Sequence, residues 1–217
     1  LAVTSDLTTV APAYVDLSAT TATETLATAV LGNAKGSATV TIVNQGNVDA
    51  KGSVTVNYFA SASGVIDENA VAIGTATKKI TLKPSKSTTV KGNVVMPNVE
   101  DAEDYYIVAQ VVFTPSNGYG DENDANDTAA TADTTNVAPA FVDLSATTAA
   151  ETFATAVLGN AKGSASITFI NEGNVDAKGS VTVVFYASTT GTIDENAINI
   201  GSVTKKITLK TNKATTI

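Results

Sequence analysis

The sequence predicts an all-β protein made of tandem antiparallel β-sandwiches, and three observations carry that reading. Short runs rich in β-branched residues alternate apolar and polar positions and are separated by Gly, Asn, Asp and Ser turns. The hydrophobic 43% is mostly Ala, Val and Ile, with six Phe, six Tyr, one Met and no Trp, so the core is aliphatic and suits strands. The chain also repeats itself. "APAYVDLSATTATETLATAVLGNAKGSA" from Ala11 returns as "APAFVDLSATTAAETFATAVLGNAKGSA" from Ala138, an offset of 127 residues, and the register then holds without a gap, with about 58 identities in 80 positions.

The repeat sets the expected domain organisation. Residues 11–137 read as one whole repeat with its junction. Residues 138–217 read as a second repeat that stops at Ile217, the counterpart of Val90, and residues 1–10 as the tail of a preceding copy. At 217 residues the chain is long enough for two domains with cores of their own. It is expected to be an interior piece of an array in which each module couples mainly to its neighbours.

Taken in order, "AYVDLSA" is the expected opening strand, and "TETLATAVLG", Thr23–Gly32, is the one place where a brief helix is expected. "SATVTIVN", Ser37–Asn44, places Ala38, Val40 and Ile42 on one face, and the turn signal "NQGN" follows. "GSVTVNYFAS", Gly52–Ser61, does the same with Val54, Val56 and Tyr58. Further strands are expected at "AVAIGTA", "KKITLK", "STTVKGNVVM" and "DYYIVAQVVFT", giving seven or eight strands of immunoglobulin-like arrangement. Differences between the copies support a filled core: Val40 becomes Ile167, Ile42 becomes Phe169, Val43 becomes Ile170, and Tyr58-Phe59 inverts to Phe185-Tyr186.

These turns and strands resemble the CARDB group, immunoglobulin-like domains associated with adhesion in bacterial and archaeal surface proteins. The residues that carry the resemblance are Asn44 and Gly46 in an N-x-G turn, Pro97 ending a strand, Tyr106 with Val108 in a Y-x-I/V strand, and the acidic Asn-rich segment Glu122 to Asp127. Asp124 and Asp127 stand where that pattern usually has Glu and Asn, and "VEDAED" replaces the Gly common before the Y-x-I/V strand. The resemblance implies a surface-protein module, extracellular or at the cell surface.

Composition excludes several function classes. All 13 basic residues are Lys, against 21 acidic ones, for a net charge of -8. That balance argues against nucleic acid, whose phosphates need clustered cations. With no His and no Cys, disulfides, thiolate zinc sites and the usual nucleophilic triads are absent, so no enzymatic role is expected. No run approaches the apolar length of a membrane-spanning helix.

The densest chemistry lies in "YGDENDAND", where Asp121, Asn123, Asp124, Asn126 and Asp127 offer oxygen ligands suited to calcium. Two readings stand open there. One is a calcium clamp tying this sandwich to the next. The other is a hydrogen-bonded opening to the last strand, with Asn and Asp capping turns. The loop "IDEN", Ile66–Asn69 and again Ile193–Asn196, and the run Glu100–Asp104 are further acidic candidates with ordinary solvated turns as their alternative. Lys35, Lys51 and Lys91 are candidate donors of a Lys-Asn isopeptide bond. The Thr-rich stretch Thr128–Val137 and the sequon Asn126–Thr128 are candidate sugar sites, against a plain last strand.

Three functions follow as expectations. The first is a non-catalytic stalk, fibre or surface-layer repeat whose partners are neighbouring repeats or other copies of itself. The second is a module binding a cell-surface glycan or protein, for which Tyr105, Tyr106 and Tyr119 are the available aromatics. The third is a filament subunit in which an incomplete second sandwich accepts a strand from another molecule.

Overall fold

The protein is described by a computed structural model covering residues 9–154 and 158–217. The expected tail of a preceding repeat therefore lies, for residues 1–8, outside the described residues, as does Thr155–Val157 of the second copy. The chain forms two compact units that divide between Pro139 and Ala140.

Unit 1 contains β1 (Leu17–Glu24), β2 (Ala29–Leu31), β3 (Lys35–Asn44), β4 (Ala50–Ser61), β5 (Val71–Leu82), β6 (Ser87–Val95), β7 (Glu103–Pro115), β8 (Thr128–Ala130) and β9 (Thr135–Ala138). One sheet has the order β1-β3-β6. The other runs β2-β9-β7-β4-β5, with β8 also pairing β7. All pairs are antiparallel except β2 with β9. This is an immunoglobulin-like β-sandwich. Its core lies where the inner faces meet: Ala38, Val40 and Ile42 of β3 and Val54, Val56 and Tyr58 of β4 are fully buried, as alternation predicts. They join Val90 and Val94 of β6 and Ile107, Ala109 and Val111 of β7. The Tyr58 hydroxyl crosses the core to donate to the Val90 carbonyl at 2.9 Å, and burial pushes its pKa up to about 12. Gly92 leaves room for that ring, since a Cβ there would lie 2.6 Å from Tyr58 Cε2.

Three expectations are corrected. No helix forms over Thr23–Gly32, where β1 runs on to Glu24 and β2 follows. Thr21 and Thr23 are stiff β-branched residues paired with Thr41 and Thr39 in the β1–β3 ladder, which shifts register between Ala19 and Thr21. The two runs "AVAIGTA" and "KKITLK" form the single strand β5. A register shift opposite Tyr58/Phe59 absorbs the break in alternation, and the sheet-edge position keeps Lys78 and Lys79 in solvent. The opening strand starts at Leu17, and Val15 makes only an isolated bridge to Asp121.

Unit 2 repeats the framework with β10 (Leu144–Glu151), β11 (Ala165–Asn171), β12 (Ala177–Ala187), β13 (Ile198–Leu209) and β14 (Ala214–Thr216), in sheets β10-β11-β14 and β12-β13. Its buried core is Phe169, Ala177 and Leu209. Val181, Val183 and Phe185, the counterparts of Val54, Val56 and Tyr58, are only half-buried.

Both units are held at one end by a buried asparagine. The Asn44 side chain donates to the carbonyls of Val48 (2.8 Å) and Leu82 (2.9 Å) and accepts from the Gly46 amide (3.0 Å). Its backbone donates to Lys86 O and accepts from Ser85 N. Asn171 repeats the side-chain bonds with Val175, Leu209 and Gly173. The N-x-G turn is thus a joint between the β3–β4 and β5–β6 connections. Gly46 is required beside it, because a Cβ would lie 2.5 Å from Tyr14 O. Asn44→Ala leaves two carbonyls and one amide without partners in a fully buried site. Denaturant unfolding of unit 1 is expected to lose about 3 kcal/mol or more; a loss under about 1 kcal/mol, the range of a solvated turn, is the contrary result.

Candidate functional site

The acidic segment after β7 is not a strand. Asp124–Asn126 form one 3-10 turn that leads through Asp127 into β8. The two-faced alternation of a strand therefore does not divide these side chains. The segment leads into β8, and the stretch from Thr128 to Val137 contributes the short strands β8 and β9.

The segment lies against the start of β1. The Leu17 amide donates to both carboxylate oxygens of Asp121, at 3.2 and 3.1 Å, and Glu122 N donates to Val15 O at 3.0 Å. Asn126 Nδ2 donates to Asp16 Oδ1 at 2.9 Å, and Val111 N to Asp127 O at 2.8 Å. Asp16, 110 residues before Asn126, thus belongs to the cluster although nothing local to it in the sequence said so. It stands between the fully buried Val15 and Leu17, which turns it to the other face of the chain. Asp121, Asp124 and Asp127 line a cavity of about 380 Å³ with Gln110, Val111, Val112, Phe113 and Thr128. Asp127 is 7% exposed, and its Oδ1 and that of Asn126 are buried with no hydrogen-bond partner. Asn123 is exposed and reaches the group only through its backbone amide, 3.4 Å from Asp121 Oδ1.

The electrostatics follow from this crowding. Burial, followed by the charges of Asp121, Asp124 and Asp16, pushes the Asp127 carboxyl up to about 7. Burial also raises Asp121, against the lowering effect of the Leu17 amide. Among the described residues no three carboxylates already converge on one point, and the ion pair present is Lys51–Asp49 at 3.8 Å, outside the cluster.

The other candidates separate. Asp67 accepts from Ser63 Oγ (2.7 Å) and Asn69 N (2.9 Å), and Asp194 from Thr190 Oγ1 (2.7 Å) and Asn196 N (2.9 Å). These bonds, the Ser63 and Thr190 hydroxyls foremost, lower both carboxyls, so the "IDEN" loops are closed Asx turns. Glu103 and Asp104 pair with Val137 and Asn136 at the far end of β7 from Asp121–Asp127. The acidic run therefore does not fold toward the cluster. Lys35, Lys51 and Lys91 are exposed, unlike a buried isopeptide donor. Tyr105 is buried, with its hydroxyl on Glu103 Oε2 at 2.5 Å, while Tyr119 is 42% exposed and lies beyond the other end of β7. The three tyrosines form no common platform. The Asn126 amide of the sequon is engaged by Asp16.

The sheet order and the shared core define an immunoglobulin-like antiparallel β-sandwich. No protein-family model and no curated protein matches the chain. Solved structures similar to it include the crystal structure of the CARDB domain of a Pyrococcus furiosus protein in complex with di-metal ions, at 19% identity and TM-score 0.37, covering 60% of this chain and 97% of that one. The solution structure of the same domain aligns at 18% identity and TM-score 0.37, over 59% and 97%. Red sea bream transglutaminase aligns at 15% identity and TM-score 0.30, over 94% of this chain and 28% of its own. Among the described residues no helix is long and apolar enough to cross a membrane.

The Asp127 shift sets a pH dependence. Its folded pKa of about 7 stands above an unfolded value of about 3.9, so the native state holds the proton longer. In chelator, unit 1 is expected to be most stable below about pH 4 with respect to this group. It then loses up to about 4 kcal/mol as pH rises to 7, with no further change above. Asp127→Asn flattens that slope in thermal unfolding; an unchanged slope contradicts the assignment.

Proposed function

We propose that this chain is a non-catalytic spacer of an adhesion-related surface protein, extracellular or at the cell surface, in which sandwich modules follow one another and extend reach. The observation that carries the reading is where the chain comes into and leaves unit 1. It comes in at Tyr14–Leu17, gripped by the β3–β4 turn: Tyr14 N donates to Asn47 Oδ1 at 2.9 Å, and Gln45 N to Asp16 O at 2.6 Å. It leaves through β9, which pairs Thr135–Val137 with Tyr105–Glu103 at the opposite end of β7. The two points are separated along β7 by about eight residues, roughly 25–30 Å. A module that takes the chain in at one pole and releases it at the other adds its length to an array.

The second unit opens on the same grip, with Phe141 N donating to Asn174 Oδ1 at 2.9 Å and Asn174 N to Phe141 O. Only Pro139 and Ala140 separate Ala138 of β9 from Phe141. Partners under this reading are further repeats of the same chain. The lack of His and Cys and the separated tyrosines support it over an enzyme or a glycan platform.

Pulling a single chain by its two ends tests the proposal. A spacer is expected to hold and then release unit 1 in one step of about 40 nm, the extended length of its 127-residue repeat less its folded span. Peeling of unit 1 in several small steps at low force is the result that would count against it.

A further inference from the structure

We propose that Asp16, Asp121, Asp124, Asn126 and Asp127 bind one hard divalent cation of calcium's size, a clasp that fastens the incoming segment of unit 1 to the connection between β7 and β8. Two independent observations meet at this place. The first is that the fold brings four carboxylates and one amide, from positions up to 111 residues apart, to one pole of the unit, where Asn126 Nδ2 bonds Asp16 and the Leu17 amide bonds Asp121, although no three of the carboxylates yet converge on one point. The second is that Asp127, more than nine-tenths buried, has a carboxylate oxygen without a hydrogen-bond partner and lines the same cavity as Asp121 and Asp124. Asn126 presents a second unpartnered buried oxygen. A buried acceptor left unpaired is costly, and native structures supply it with a donor, a water or an ion.

A cation answers both observations. Four carboxylates with no lysine paired to them carry a local charge that a divalent ion halves. Every donor is oxygen, and the chain has no His or Cys, so soft and borderline metals find none of their preferred ligands. Calcium accepts irregular sets of six to eight oxygens, whereas magnesium requires a tight octahedron and keeps its water. Asp124 is exposed on the 3-10 turn, so its side chain is free to turn in on the ion, while Asn126 is held by Asp16 with its Oδ1 still unpartnered. The Asx-turn aspartates Asp67 and Asp194 differ: their oxygens are already engaged by hydroxyl and backbone donors.

The position changes what such an ion would do. The sequence suggested a clamp between this sandwich and the next. Within unit 1, however, the cluster lies at the pole where the chain comes in, away from β9. The ion would fasten Val15–Leu17 against the end of β7, and so anchor the first strand of the unit under tension. Within these 217 residues Asp16 alone has a counterpart in unit 2, Asp143, so the titration is expected to report one site.

Calorimetric titration and thermal unfolding of the whole 217-residue chain near pH 7 test the proposal, with chelator, millimolar calcium and millimolar magnesium as the arms. The expected result is one equivalent of calcium bound, with the unit 1 midpoint raised by about 5 °C or more over chelator. Magnesium is expected to give a clearly smaller shift. Asp127→Asn and Asp124→Asn should abolish the calcium response, and Asp67→Asn should leave it intact. Asp124 has an exposed side chain, so its variant keeps the test valid if a buried substitution disturbs folding. Equal midpoints in calcium and chelator, a calcium response preserved in both cluster variants, or an equal response to magnesium would each overturn the proposal.

Discussion

The fold depends first on how a buried asparagine is satisfied. Asn44 has no exposed surface, yet it carries an amide that must find partners, and it finds them in three backbone groups of two different turns. That requirement fixes where β3 ends, where β4 begins and how the β5–β6 turn lies beside them. A leucine has the same branching but would leave Val48 O, Leu82 O and Gly46 N unpaired. Asn171 repeats the arrangement with the equivalent groups Val175 O, Leu209 O and Gly173 N, although the core residue Ile42 is replaced by Phe169 in that copy.

From that joint the structure extends outward along one pole of unit 1. The turn held by Asn44 grips the segment Pro12–Asp16 through Asn47, whose Nδ2 donates to Pro12 O at 2.9 Å. Asp16 and Leu17 in turn meet Asn126 and Asp121. The incoming chain is therefore held between a polar joint that is fully satisfied and an acidic cluster that is not. The contrast is informative. Evolution of a neutral joint needs only backbone partners, whereas a cluster of like charges around a buried carboxylate is stable only when a proton or a cation offsets it.

Much of the sandwich was legible in the sequence because strand alternation is a local signal. Ala38, Val40, Ile42, Val54, Val56 and Tyr58 were placed on the core face by period alone, and all are fully buried. What failed was also physical. Thr23–Gly32 has helix-like apolar spacing, but β-branched Thr and pairing with β3 override it, and that pairing is not visible locally. The N-x-G turn was recognised as a turn, while the burial of its Asn depends on Leu82, 38 residues away. Likewise Asp121 to Asp127 announced themselves by density, but Asp16 joins them only through the closing of the sandwich. Long-range partners of polar groups are the part that a single sequence carries least openly.

The central claim is that unit 1 is one mechanical body whose incoming pole is as firm as its core. Native-state hydrogen exchange on the amides of Gly46 and Leu17, followed against low denaturant, tests it most directly. Both amides are bonded to side chains of this pole, Asn44 and Asp121. The account predicts that they exchange through the same global opening as the amides of β4 and β7, with the same free energy and the same denaturant dependence. Exchange through a smaller opening, at lower free energy and with little denaturant dependence, would show that the pole frays independently and would contradict the account.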